Sequence, residues 1–475
     1  MTGIPSKTHL IPERVLFLVC CLASFQQPEQ PAWALSPSYD FEVVAEEGSS
    51  VNGYGLRNLS APLSLTDDGE VLFTALISTK PAGAPETEDW SNGLFTQNRR
   101  LFVHHDWNNS KCFLQYNTPL AMMNGKGDLL VLCNAEPGSP KQALFHNDAL
   151  IAETGGNIDG LTLSGFGYRG KSGTAVLGLT ESNSFAFLGL FTTQETGTAP
   201  DGIFIGKTLY ARTGYSHVIS RAGEVTAGEE ICSISDVEIN ERGDVAFLGV
   251  PFDTVQQGTE RKTIECPTRK SINGSNPVIY MNKVPFLSGR ELSIGDRIES
   301  FHLSKLRNNG QLIYEVPWKE KGRTAFIDRS ILLQPGDMIG DHRVTAIRNT
   351  VATEDSEFFS VYFEPPHKPG IATRQTVLIQ QDDQLKKQTI TSIDDHIVAN
   401  RSGSIAFKVK FDYGPEAIVI ATPVSDRTMI ASNHTSATAD KAAPSPVQRS
   451  RSLIPAFLIG AFLLWTLYYL FARKQ

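Results

Sequence analysis

Three observations predict an all-β protein. A segment of the form N-x-x-G-x-[VI]-A-F recurs along the chain, its copies lie about 56 residues apart, and a lone strand signature precedes the first copy. A repeat of that length is one sheet that cannot bury its own faces, and neighbouring copies must stack to do so. The fold class expected is a β-propeller, most simply seven four-stranded blades closed by the N-terminal strand, with one C-terminal transmembrane helix after it.

The clearest copies are Asn240-Glu241-Arg242-Gly243-Asp244-Val245-Ala246-Phe247 and Asn400-Arg401-Ser402-Gly403-Ser404-Ile405-Ala406-Phe407. With glycine as the register, further copies fall at Gly69, Gly127, Gly173 and Gly310, and a degenerate one has Ser356 in the glycine place. From Gly69 to Gly403 there are six intervals over 334 residues. The motif reads as a hairpin. Asn bonds its own backbone to start the turn, and Gly supplies the positive φ that closes it. The apolar run that follows enters a strand covered on both faces.

Two more strand signals follow each motif. Apolar triplets mark a third strand: Gly93-Leu94-Phe95, Ala143-Leu144-Phe145, Gly202-Ile203-Phe204, Val278-Ile279-Tyr280, Ala325-Phe326-Ile327, Val377-Leu378-Ile379 and Ala417-Ile418-Val419. A fourth often ends in Gly, as in the stretches ending at Gly155, Gly214 and Gly336. The last copy stops at Ile420 without a fourth strand, while the body opens with an orphan one, Phe41 to Gly48. Pairing the two removes a pair of exposed sheet edges, which would otherwise invite aggregation.

These N-x-x-G-x-x-A-F units, each followed by an apolar triplet and a strand ending in Gly, resemble the exported bacterial tandem-repeat proteins defined by the NxxGxxAF motif and by varied C-terminal anchors. The resemblance covers roughly residues 40 to 421. It implies a surface protein and brings no catalytic residues to this chain. No Pro-Glu-Pro or Gly-Gly precedes the C-terminal apolar segment, a departure from the commonest sorted anchors.

The remaining segments suit export. Residues 1–34 read as a signal peptide, with Val15 to Phe25 as its apolar core and Ala32-Trp33-Ala34 as a cleavage site, Ala23 being a second candidate. The repeat body is assigned to 35–421 and a Ser/Thr/Ala/Pro-rich stalk to 422–452. Residues 453–472 carry no charge and are long enough to span a bilayer. Arg473 and Lys474 follow, so 473–475 is expected in the cytoplasm and the body outside, in the periplasm or at the cell surface.

A net charge of −8 with no basic run in the body excludes nucleic acid as the expected partner. Four cysteines follow the signal, and three pairings are open to them. Cys112 with Cys133 and Cys232 with Cys266 are favoured, because each would clip neighbouring strands. Asn400 heads one of several glycosylation sequons but doubles as a repeat turn, so that sequon reads as coincidental.

No catalytic, cofactor-binding or metal-binding residue is assigned. His104-His105-Asp106 offers ligand chemistry, but adjacent strand residues point to opposite faces. Asp67-Asp68, Asp382-Asp383 and Asp394-Asp395 lack the spacing of a compact calcium loop and read as solvated turn carboxylates. The expected function is a binding or scaffolding module for an unknown protein or glycan ligand, presented by the long segments Thr79 to Ser91, Thr192 to Asp201 and Phe252 to Asn276. Two alternatives stand beside it: a polysaccharide-acting hydrolase or lyase with carboxylates at the channel, and a purely structural envelope protein.

Overall fold

A computed structural model describes residues 38–424 apart from 79–89, 104–119, 135–140, 193–200, 263–276 and shorter stretches. The described residues contain strands and turns but no helix. Seven antiparallel sheets of four or more strands account for nearly all of them.

The fourth blade shows the plan. Its strands A to D, innermost to outermost, are Ile231–Ile239, Val245–Pro251, Val278–Met281 and Val284–Ser288, each paired with the next. The innermost strands of the seven blades are Ser64–Leu65, Leu120–Met123, Leu177–Leu179, Ile231–Ile239, His302–Leu306, His342–Ala352 and Gln388–Ala399. Each touches the next, and the last touches the first. The buried core divides the same way, into seven apolar clusters, one between each pair of neighbouring blades. The cluster holding Phe73, Ala406 and Ile418 joins the last blade to the first.

Closure runs through the expected strand. Tyr39–Glu46 pairs antiparallel with Glu416–Pro423, Val43 opposite Val419 and Ala45 opposite Ile418, and supplies the seventh blade's outer edge. The strand runs to Pro423, and the Val424 amide donates to Ser38 O at 2.8 Å, so the propeller extends slightly past the expected boundary at 421.

The Phe of the motif has a packing reason. Phe247 lies opposite Tyr280, Phe187 opposite Phe204, Tyr314 opposite Phe326 and Phe73 opposite Phe95, on strands B and C of four blades. Three of these pairs stack with ring centroids 5.0 to 5.4 Å apart. Such pairs contribute about 0.5–1.5 kcal/mol beyond their area. In the two A-F-L-G stretches the glycine makes room for the ring, since a Cβ on Gly189 or Gly249 would lie 2.9 or 2.8 Å from Phe204 or Tyr280.

Two repeat registers differ from expectation. In the third blade the turn before strand B is Thr180 to Ser184, and Asn183, at φ 64°, occupies the left-handed position of the expected glycine. Gly173 lies outside the described residues, and the adjacent Thr174–Ala175 pairs with Tyr168–Arg169 in an insertion beside the innermost strand. In the sixth blade the Thr353 amide donates to Ser356 O, whereas the Asn240 amide donates to Asp244 O. That turn is one residue shorter, so no glycine is needed. Its third strand is Lys368–Ala372, and the triplet Val377-Leu378-Ile379 belongs to the fourth.

Among the described residues no helix is long and apolar enough to cross a membrane. The signal, stalk and apolar segment 453–472 lie outside the described residues, as do His104-His105-Asp106 and Cys112 and Cys266. Of the four cysteines, Cys133 is described in full and is buried in the second blade.

Candidate functional site at the turn end of the channel

Because strands alternate in direction, every A–B turn emerges at one end of the ring and every B–C loop at the other. The A–B turns meet around the channel, where the motif residues build the site.

Asn240 is buried and all its hydrogen-bonding atoms are used. Its Oδ1 accepts the Arg242 and Asp244 amides at 3.1 and 2.9 Å, closing its own turn. Its Nδ2 donates at 3.0 Å to Arg307 O, the carbonyl at the equivalent position of the next blade. Asn124 reaches Thr180 O at 3.0 Å and Asn400 reaches Thr66 O at 2.8 Å in the same way. Arg307, standing where Asn stands elsewhere, reaches Thr353 O through Nε at 2.8 Å. The Asn400 amide is thus spent inside the fold, in line with a coincidental sequon.

The residue after each turn-opening Asn, or after the Thr or Arg in its place, forms a second ring nearer the axis: Asp67, Gly125, Glu181, Glu241, Asn308, Glu354 and Arg401. In most blades its side chain accepts the amide of its counterpart in the preceding blade. Gly125 N donates to Glu181 Oε1 at 2.6 Å, Glu181 N to Glu241 Oε1 at 2.5 Å, and Glu241 N to Asn308 Oδ1 at 3.0 Å. Asn308 N donates to Glu354 Oε2 at 2.8 Å and Arg401 N to Asp67 Oδ1 at 3.1 Å. Gly125 has no side chain to offer, and its carbonyl accepts Asp67 N at 2.9 Å. A Cβ there would lie 2.7 Å from Asp67 Oδ2 and 2.9 Å from Glu181 Oε1.

One junction differs. Between the sixth and seventh blades the next residue is Arg401, which carries only donors. Neither a side-chain nor a backbone acceptor meets Glu354 N among the described residues. A cavity of about 80 Å³ opens at this mouth, lined by Glu181, Glu241, Lys305, Asn308, Glu354 and Arg401 among others. Further from the mouth the two blades remain joined by Arg348 Nε to Asp395 Oδ2 at 2.9 Å.

The carboxylate pairs singled out in the sequence do not converge. Asp67 belongs to the ring, and Asp68 accepts the Thr66 hydroxyl. Asp382 pairs with Lys368 at 2.8 Å, while Asp383 accepts the Gln380 amide. Asp394 and Asp395 lie in an irregular stretch of the seventh blade's innermost strand, between Ile393 and Ile397, and not in a turn. Among the described residues no group of three His, Cys, Asp or Glu side chains could hold a metal ion. Sequence reasoning missed the axial ring. Its signal was the position after each turn Asn or Thr, acidic in four of seven copies.

Two kinds of carboxylate have shifted acidities. Asp244 lies below the ordinary carboxylate value, held there first by the Asn240 amide and also by Arg242 and Asn282, against some desolvation. Asp128 is lowered likewise, first by Asn147. Away from the mouth, Glu315 is buried between the fifth and sixth blades. Desolvation raises its pKa despite the Arg323 guanidinium 2.9 Å away.

Fold and site together define a closed seven-bladed propeller whose turn end is hydrogen-bonded around the axis, save at one junction. No family model matches the chain, and no curated protein matches it in sequence. Solved structures are similar over much of its length. BBS1N in complex with ARL6DN is 8% identical, with a TM-score of 0.36, over 81% of this chain and 97% of that one. The polysaccharide lyase Uly1 is 8% identical, with a TM-score of 0.31, over 84% and 94%. A gluconolactonase from Xanthomonas campestris is 9% identical, with a TM-score of 0.27, over 65% and 88%. Likeness at this level carries no argument about activity.

Proposed function

We propose that this chain is a membrane-anchored extracytoplasmic protein of the NxxGxxAF repeat type, acting as a binding or scaffolding module at the cell surface. One observation carries the reading: the longest connections leave the ring at a single end. They are the B–C loops after Ser78, Thr192 and Pro251 and the D–A connections after Val103, Arg212 and Ser288, all leaving the first four blades. A rigid ring displaying long loops on one face is the usual arrangement for recognition. The apolar segments at 15–25 and 453–472 support export and anchoring.

The enzyme alternative expects acids converging on the axis. Glu181, Glu241 and Glu354 do line the mouth, yet Glu241 gives both oxygens to the Glu181 and Ser182 amides. Glu181 and Glu354 each give one oxygen to a neighbour's amide. Carboxylates tied to the backbone in this way serve the ring, which favours binding over acid–base chemistry.

The test uses glycan, peptide and cell-wall arrays probed with the full chain in detergent. At least one ligand is expected, and shortening the 79–89, 193–200 and 263–276 loops abolishes its capture. Silence on every array supports a purely structural envelope role instead. Carbonate extraction and protease accessibility of intact cells check the anchor and its orientation. Non-reducing peptide mapping checks the Cys112–Cys133 and Cys232–Cys266 pairs.

A further inference from the structure

We propose that the junction between the sixth and seventh blades, at the turn end of the channel, is a binding site for a small monocarboxylate. The inference concerns the end opposite the long loops and stands whether or not those loops bind anything.

The ring itself specifies the ligand. At five junctions an amide at this position is met by a side-chain oxygen of the next blade, four times from a carboxylate. At a sixth a backbone carbonyl serves. At Glu354 no acceptor meets the amide among the described residues, the matching residue of the next blade is Arg401, and both residues line the same cavity. Lys305, on the fifth blade's innermost strand, lines the same cavity. Among the described residues neither cation's side chain makes a hydrogen bond or ion pair. Asn308 offers a further donor, since its Oδ1 is committed to Glu241 N.

The uncommitted groups are therefore mostly donors, two of them cationic, around the place where the repeat elsewhere puts a carboxylate. A planar anion accepting from a backbone amide and a guanidinium fits them, and charge-assisted bonds of this type are the stronger ones. The lining also limits charge. Glu181, Glu241 and Glu354 outnumber Lys305 and Arg401, so a multiply charged anion such as phosphate is repelled. The volume of about 80 Å³ holds a carboxylate and a few further atoms.

The experiment is isothermal titration of the full chain in detergent with sodium acetate, sodium chloride and sodium phosphate at matched ionic strength. Acetate is expected to bind saturably with a Kd on the order of 1 mM, as suits a ligand of so few atoms. Phosphate should bind at least about tenfold more weakly and chloride not at all. Arg401→Glu supplies the missing carboxylate from the protein, so acetate binding should vanish and the melting temperature should rise. Arg401→Gln removes the cation without closing the ring and should weaken acetate about tenfold or more at an unchanged melting temperature. An absence of saturable acetate binding overturns the proposal. So does phosphate binding as tightly as acetate, or acetate affinity unchanged in either variant.

Discussion

The two ends of the propeller are built by opposite rules. At the turn end, each blade reverses direction within five residues or fewer, from Thr66 to Glu70 in the first and from Asn400 to Ser404 in the seventh. The side chains there are spent on their own turn and on the next blade. At the loop end, the connections between strands B and C range from the three residues after Trp318 to the 26 between Pro251 and Val278. The repeat therefore keeps its sequence pattern where blades must register with one another. Variation collects where nothing else in the ring depends on it.

The largest effect expected separates the ends directly. Asn240→Ala removes two acceptor contacts to its own turn and the donor to Arg307 O, in a residue 3% exposed. Leaving buried amides and a carbonyl unpaired costs about 1–3 kcal/mol each, so a loss of about 3 kcal/mol or more is expected in urea denaturation. Shortening the 193–200 loop should change stability by less than about 1 kcal/mol, because loop closure depends only weakly on length. Comparable losses from the two changes would break the contrast between the ends.

Gly125→Ala sharpens it. The added Cβ would crowd the Asp67 carboxylate and Glu181 Oε1, and overpacking of this kind costs about 1–3 kcal/mol. Removing one obstacle in the Gly125→Ala, Asp67→Ala double variant should recover part of that loss. Purely additive destabilisation in the double-mutant cycle would show that the crowding is not at the axis.

Much of this architecture was legible because the hairpin chemistry is local. Asn240 and Gly243 lie three residues apart, and an aromatic four residues after the glycine announces a buried strand. The seventh blade's closure was legible too, since a missing strand at Ile420 and a spare one at Phe41 are visible without coordinates. The third blade's register was not. Asn183 takes the left-handed conformation in place of glycine, while the glycine that set the expected register stands ten residues earlier in the sequence, at 173. The axial ring was hidden for a different reason. Asp67, Gly125, Glu181, Asn308 and Arg401 share a position but no single side-chain chemistry, and what unites them is an amide on a neighbouring blade some 46 to 67 residues away, or 334 across the closure.

The smallest effect expected concerns acid. Asp244 accepts Asn240 Nδ2 at 3.0 Å, Arg242 Nη2 at 2.6 Å and Asn282 Nδ2 at 3.0 Å, and its pKa is lowered. A carboxyl group that is more acidic when folded stabilises the protein above its unfolded pKa of about 3.9. That contribution fades as pH falls through the lower folded value. Asp244 is partly solvated, its side chain 22% exposed, so screening holds the effect below about 1 kcal/mol. Asp244→Asn should therefore be less stable than the parent at pH 7, by urea midpoint, with the gap narrowing as pH falls toward 3 and below. Tyr413→Ser, at a residue 99% exposed on the loop end, should show no such pH-dependent gap. A gap at Asp244 that persists or widens in acid would mean that its hydrogen bonds do not depend on the ionised carboxylate.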